Sequence, residues 1–563
     1  MTRRMRWLAG LVALGLLASA CGGDDDGGDA EADGGTTETT EAPADGGEAE
    51  DGAAADDGAT ETTAAPEGEP VYGGEVTMLL EAETNTWDIP GANCAVSCIT
   101  VMRQVAEPLF IEDEDGVPQP YLLSSAESNA DFTEWTLTMR DGITFHDGTP
   151  ADGAAVKTNI EAMKAGPLQG QVLADLTSVE LVDPMTVKVV FSAPTSNFPA
   201  FMAERTGYLL APAFWADPNL RATQPIGTGP FQWESWVPDQ ELVLVKNENY
   251  WRTDDEGREL PYLDRITFRP IPDSATRRAT MESGDADINH DTFAENREFW
   301  ATEWEGELMP DPANVETTYL LINNAVAPFD NVDARRAVAL CTDREEYVAF
   351  RSPGNTIANG PFAEGTGGYL EDTGFPEFDP EAGRALAEEI GLTTVEYGTT
   401  NDRSNQITAE LFADMWNRNC GIEVTIDIFD QSELITRALT GDFQMFLWRN
   451  HSEVSVGNEF VWWHSRHASG LALNFGRFQD PDIDAALEGI RATDDRAEQD
   501  ALAQEINRAF GENVYNLWLT YTQWSMPYRT GVNGVGKVSL PDGGYATPTR
   551  AGRLWLHEVW VEG

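Results

Sequence analysis

The chain has 563 residues, of which 36 are Lys or Arg and 96 are Asp or Glu, a formal net charge of −60. That excess excludes a nucleic-acid partner, whose phosphates need a basic surface. With 41% hydrophobic and 10% aromatic residues a wholly disordered chain is excluded too, and the length suits roughly three domain-sized units.

At the N-terminus Arg3, Arg4 and Arg6 precede an apolar run from Trp7 to Leu17 and the small residues Ala18, Ser19 and Ala20. This order predicts a secretory signal over residues 1–20. The run is too short to span a bilayer comfortably. Leu17-Ala18-Ser19-Ala20-Cys21 resembles the bacterial lipobox, which implies that Cys21 receives a diacylglyceryl group and becomes the mature N-terminus. More than one acyl chain there would anchor stably. An ordinary secretion signal ending at a cysteine is the weaker reading, because a polar spacer follows at once. Thr2-Arg3-Arg4 also resembles a twin-arginine signal, which leaves the export route open. Residues 21–70 are Gly, Ala, Thr, Asp and Glu with almost no large apolar side chain. They are expected to be a disordered acidic tether, extended by its own charge.

Beyond Cys21 the cysteines are Cys94, Cys98, Cys341 and Cys420, an even number that suits an oxidising compartment and allows three pairings. Cys94 with Cys98 and Cys341 with Cys420 is the favoured set. Zinc fits Cys94-Ala-Val-Ser-Cys98 less well, since the spacing is one residue long for a short zinc motif and no His is near. Trp135, Leu137 and Met139 alternate with Thr136 and Thr138, and Asp141-Gly142 then turns the chain into Ile143-Thr144-Phe145; the pattern predicts a hairpin with one apolar face. Further strands are expected at Glu241–Val245, Tyr319–Asn323 and Phe443–Leu447, and helices at Val332–Phe350, Pro380–Ile390 and Ile407–Asn417. Strands alternating with helices in the second half point to an α/β lobe.

Several blocks resemble one family. Trp135-Thr-Leu-Thr-Met-Arg-Asp-Gly-Ile-Thr-Phe-His-Asp-Gly148, within Ser124–Gly148, is similar to the signature of the family-5 extracellular solute-binding proteins, the dipeptide, oligopeptide and nickel-chelate receptors of ATP-binding-cassette importers. Pro225–Pro230, Asn247–Trp251, Pro261–Asp264, Ser283–Ile288, Pro328–Asp330 with Arg335 and Arg336, Asp480–Asp484 and Tyr528–Val532 resemble it in the same order. The resemblance implies an α/β fold of two lobes of the periplasmic-binding type, with an enlarged first lobe and the ligand cleft between them. By analogy residues 71–315 plus 525–563 form the larger lobe, itself in two parts, and 316–524 the smaller. Cys341 and Cys420 then share a lobe.

Enzyme motifs are missing: there is no His-Glu-x-x-His, Gly-x-Ser-x-Gly or Gly-x-x-x-x-Gly-Lys-Ser/Thr. His464-Ser465-Arg466-His467 offers two imidazoles at metal-binding spacing, but without a third ligand it reads as an exposed polar loop. His146 follows a strand and reads as structural. Most of Trp462, Trp463, Trp518, Tyr521 and Trp524 read as core. The resemblance implies ligand contacts for Trp448, whose counterpart lines the cleft, for Tyr521 and for Glu83. It also implies an Asp three residues after Trp448 to hold a peptide's α-ammonium. Here Arg449, Asn450 and His451 follow instead, with Glu453 beyond. Arg449 and His451 count among the ligand contacts, and blocked peptides, oligosaccharides stacked on Trp448, or anionic chelates meeting Arg449 therefore stand beside peptide, the family default. The expected protein is a lipid-anchored, monomeric, extracytoplasmic solute receptor that serves an ATP-binding-cassette permease and its ATPase subunits. No cofactor, metal or catalysis is expected; a secreted hydrolase that kept the fold is the rival class.

Overall fold

Apolar alternation becomes strand wherever both neighbours are strands, and the strands of the chain gather into three main sheets. A computed structural model describes residues 68–310, 316–450 and 455–562. The expected signal peptide, Cys21, most of the tether, His451 and Glu453 lie outside these residues.

The first sheet runs Glu75–Leu80, Arg265–Pro270, Glu241–Lys246, Phe231–Val237, with the first two strands parallel. Ile288 bridges Met78 to Tyr528 and so joins it to the pair Glu307–Pro310 with Ser525–Tyr528. The second sheet is antiparallel, Leu123–Ser128, Glu134–Met139, Thr186–Phe191, Leu176–Asp183. Trp135, Leu137 and Met139 are buried as their alternation requires, and the helix Gly153–Ala165 packs against the last two strands. The hairpin partner is not as expected. Leu123–Ser128 and Thr186–Phe191 take both edges of Glu134–Met139, so Ile143–Phe145 is left in a loop where Thr144 bridges only Pro150.

The third sheet has the order Glu423–Phe429, Thr394–Thr400, Met445–Asn450, Thr317–Ile322, Asn516–Tyr521. Its first three strands are parallel and are linked by the helices Arg403–Cys420 and Gln431–Thr440; the last two strands are antiparallel to their neighbours. Thr317–Ile322 is paired on both edges and buried along its whole length. The helix expected over 332–350 is broken. Val332–Leu340 stops at Cys341, and Asp343 accepts from Glu346 N to start Arg344–Arg351. In contrast, the helix expected at 407–417 is longer, opened by the Asp402 cap and closed by Gly421 at φ 71°.

Two lobes result. One apolar cluster takes its members from residues 76–288 and 524–559, the other, apart from Leu168, from 319–521. The chain passes from Glu307–Pro310 into Thr317–Ile322 and returns from Asn516–Tyr521 into Ser525–Tyr528. Cys94 is bonded to Cys98 at the start of the helix Val96–Val105, and Cys341 to Cys420 at the ends of two helices of the second lobe. His464 and His467 are buried rather than exposed: both rings pack on Phe460, and Asp484 and Glu488 lie within 3.5 Å of His464. Among the described residues no group of three or more His, Cys, Asp or Glu is placed to hold a metal, and no helix is long and apolar enough to cross a membrane.

Candidate functional site

Parallel strands end where helices begin, and in open α/β sheets that boundary forms a ligand crevice. In the second lobe Thr394–Thr400 and Glu423–Phe429 end at Asp402 and Asp430, the caps of the two linking helices. In the first lobe Glu75–Leu80, parallel to Arg265–Pro270, ends at Glu81-Ala82-Glu83-Thr84. These ends face one another across a cavity of about 540 Å³, of a size that suits a small molecule.

The lobes meet around it. Asn93 Nδ2 donates to the carbonyl of Ser432 and to Thr436 Oγ1, both at 3.1 Å. Ser274 N donates to Asp402 Oδ2 at 3.3 Å. At a separate seam Asp175 receives Arg466 through both oxygens, at 3.0 and 2.9 Å, and Arg491 at 2.8 Å. These bonds join the two lobes.

Arg449 organises the floor. Its Nη2 donates to Glu81 Oε1 and its Nη1 to Thr292 Oγ1, each at 2.7 Å, while its Nε lies 3.9 Å from Glu316 Oε2 and its guanidinium 4.7 Å above the Trp524 ring. Trp524 Nε1 in turn donates to Glu316 Oε2 at 2.8 Å. Glu316 and Trp524 belong to the two passages between lobes, so one guanidinium touches both passages and the first lobe. Burial works to raise the Glu81 carboxyl, but the Arg449 charge overrides it and the net shift is downward. For Glu316 burial wins over Arg449 and the carboxyl is raised. His290, which accepts from Glu81 N at 3.1 Å, is pushed down to about 4 by burial. Sequence reasoning offered Arg449 to anionic ligands, whereas here it is engaged with the protein's own acids.

Of the other expected site residues, Trp448 lines the cavity, half-buried against Phe446 and Phe475. Glu83 lines it as well, accepting from Trp236 Nε1 at 3.0 Å and from Thr84 N. Tyr521 does not. Its hydroxyl donates to the Phe362 carbonyl at 2.6 Å in the second lobe's interior, and the next residue, Thr522, lines the cavity in its place. Strand alternation sends neighbours to opposite sides. Glu81, Glu316, Asp402 and Asp430 were not singled out from sequence. The last two carry a legible signal, an Asp between the end of a strand and the start of a helix; the first two are placed only by contacts hundreds of residues apart.

The family model described as bacterial extracellular solute-binding proteins, family 5 Middle, matches residues 117–470. The probable D,D-dipeptide-binding periplasmic protein of Escherichia coli K12 is 26% identical over 427 residues, 73% of this chain and 81% of that protein. A glutathione-binding protein of Salmonella paratyphi A is 26% identical over 366 residues, 64% of this chain and 70% of that protein. In fold the chain is similar to a periplasmic binding protein of Helicobacter pylori solved with the peptide STSA, with a TM-score of 0.77 at 19% identity, covering 88% of this chain and 99% of that one.

Proposed function

The chain belongs to the bacterial extracellular solute-binding proteins of family 5, and on that premise we propose that it is a lipid-anchored, monomeric receptor that closes on a peptide-sized solute and presents it to an ATP-binding-cassette permease. The observation that carries the reading is the cavity of about 540 Å³ between the strand ends of two lobes, with the Trp448 ring in its wall. An aromatic wall with a few polar groups suits a small organic ligand. Peptide stands first because the relatives above bind a dipeptide and glutathione.

We assign residues 71–315 with 525–563 to the larger lobe and 316–524 to the smaller, in keeping with the two apolar clusters. The reading makes the protein a receptor rather than an enzyme, which its membership of a solute-binding family supports. Cys21 carries the lipid, which the lipobox-like sequence supports; Cys21→Ser should move the protein from the membrane fraction to the soluble one, and unchanged fractionation would remove the anchor.

Calorimetry against a peptide pool, with small-angle scattering on the same samples, tests the rest. One-site binding with a smaller radius of gyration is expected. Steady release of cleaved product would sink the receptor reading in favour of the hydrolase, and binding at an unchanged radius would remove the hinge.

A further inference from the structure

Two side chains at the end of the helix Arg344–Arg351 carry donors with nothing to donate to. Arg351 lines the cavity and is 7% exposed. Its Nε donates to Thr408 Oγ1 at 2.7 Å and its Nη1 to Glu295 Oε1 at 3.3 Å, but its Nη2 has no acceptor among the described residues. Nor is that nitrogen sealed off, as the partnerless Nε of Arg277 is. Asn355, four residues on, lines the same cavity. Its Oδ1 accepts from Arg297 Nη2 at 2.5 Å, which fixes the amide, because the reverse orientation would set two donors against each other. The Nδ2 is then the free half, open and without an acceptor among the described residues.

Positive charge prevails at this end of the cavity. Arg297, behind Asn355, is bonded to Gln523 and Asn355 and has no carboxylate within ion-pair distance among the described residues. Arg351 has Glu295 alone, whose side chain is 62% exposed, and a pair so open to water is worth little. No carboxylate of the cavity wall lies within ion-pair distance of Arg351 among the described residues. Thr408, which fixes Arg351, lies nearly two turns past the Asp402 cap on its helix, about 9 Å along the axis at 1.5 Å per residue. The other two arginines of the wall are not available: Arg449 is bonded to Glu81 and Thr292, and Arg277 is 1% exposed.

We infer that Arg351, through Nη2, and Asn355, through Nδ2, receive a carboxylate of the solute, so that the receptor selects solutes that carry one. A carboxylate has room for both donors on its two oxygens, and its bond to a guanidinium is charge-assisted, about twice as strong as a neutral one. The Phe293 ring, 5.7 Å from the Arg351 guanidinium and also in the wall, gives the site an apolar flank. The carboxylate is either the C-terminus of a peptide or a side chain, and the probes below separate the two. This assignment rests on the receptor reading for the location of the site.

The test is calorimetry of the full chain with trialanine, trialanine amide and alanylglutamylalanine amide, repeated on Arg351→Gln and on Asn355→Ala. A net charge of −60 attracts the cationic trialanine amide most, so a preference for a carboxylate cannot come from the general field of the surface. The expected result is that a carboxylate probe binds at one site at least about tenfold tighter than trialanine amide. That advantage should fall below about twofold in Arg351→Gln and shrink by about threefold in Asn355→Ala, with trialanine amide binding all three proteins alike. Trialanine as the tighter probe places a peptide terminus at Arg351, and alanylglutamylalanine amide a side chain. Equal affinity for all three probes, an advantage that survives Arg351→Gln, or an equal loss for all probes in that variant overturns the inference and leaves the receptor standing. If no probe binds, the inference and the peptide reading both fail. Should Arg351→Gln not fold, Asn355→Ala decides, and a carboxylate advantage unchanged in it overturns the inference.

Discussion

Arg449 shows how far one side chain can reach. It follows the cavity Trp448 in sequence, yet its guanidinium meets Glu81, 368 residues away, and lies over Trp524 from the return passage. Removing one partner of such a pair leaves the other buried and charged, at a cost of about 3–5 kcal/mol. Arg449→Gln should therefore lower the unfolding free energy by about 3 kcal/mol at neutral pH, read from denaturant titration. The Glu81 carboxyl is depressed in the folded protein. Its contribution is present above the unfolded value and lost as pH falls through the folded one. The variant's deficit should accordingly narrow below about pH 4; a deficit that stays constant with pH would mean that Glu81 is not the group left unpaired.

Elements were legible where one local pattern decided them. Pro380–Ile390 formed as its periodicity required, and Glu134–Met139 formed its apolar face. Pairing was not legible, because Glu134–Met139 took partners some ten and fifty residues away in place of the adjacent run. Helix ends followed the acidic composition: Asp343, Asp379, Asp402, Asp430, Asp480 and Asp495 each accept from the first turn of a helix. The same Asp402 and Asp430 line the cavity, so two cavity acids were readable as caps before they were readable as site residues. Trp448 and Glu83, which the family resemblance offered, line the cavity, whereas Tyr521 turns its hydroxyl to the Phe362 carbonyl. At this scale the bond between Cys341 and Cys420, 79 residues apart, ties the helix Val332–Leu340 to Arg403–Cys420. Closing so long a loop is worth about 2–4 kcal/mol. The double change Cys341→Ser, Cys420→Ser should lower thermal stability by that amount and leave ligand affinity within about twofold, since neither residue lines the cavity. A large loss of affinity would show that the second lobe's core and the cleft are coupled.

For the molecule as a whole, the seam at Asp175 lies apart from the cavity and joins the second sheet's lobe to Arg466 and Arg491 of the other. Burial would raise this carboxyl, but its two arginine partners hold it down at about 2 against an ordinary value of 3.8. The seam therefore holds above about pH 4 and loosens as pH falls toward 2. Asp175→Asn should enlarge the ligand-free radius of gyration at neutral pH and weaken ligand binding severalfold without touching the ligand. An unchanged radius would assign closure to the cavity-side contacts alone.

The bonds across the cleft are mostly of one kind. Asn93 to Ser432 and Thr436, Ser274 to Asp402, and Asp175 to its arginines are polar, and Leu168 is the buried apolar side chain that crosses from one part of the chain into the other lobe's cluster. Water can take the place of the uncharged bonds among these at little net loss, whereas an apolar seam would have to expose its surface to come apart. Closure should then proceed with only a small change in heat capacity beyond that of the ligand. The lobes are held by groups that solvent can release, so the residence time of the solute is set by its own contacts in the cleft, and a permease that lets water into the seam has done most of the work of unloading it.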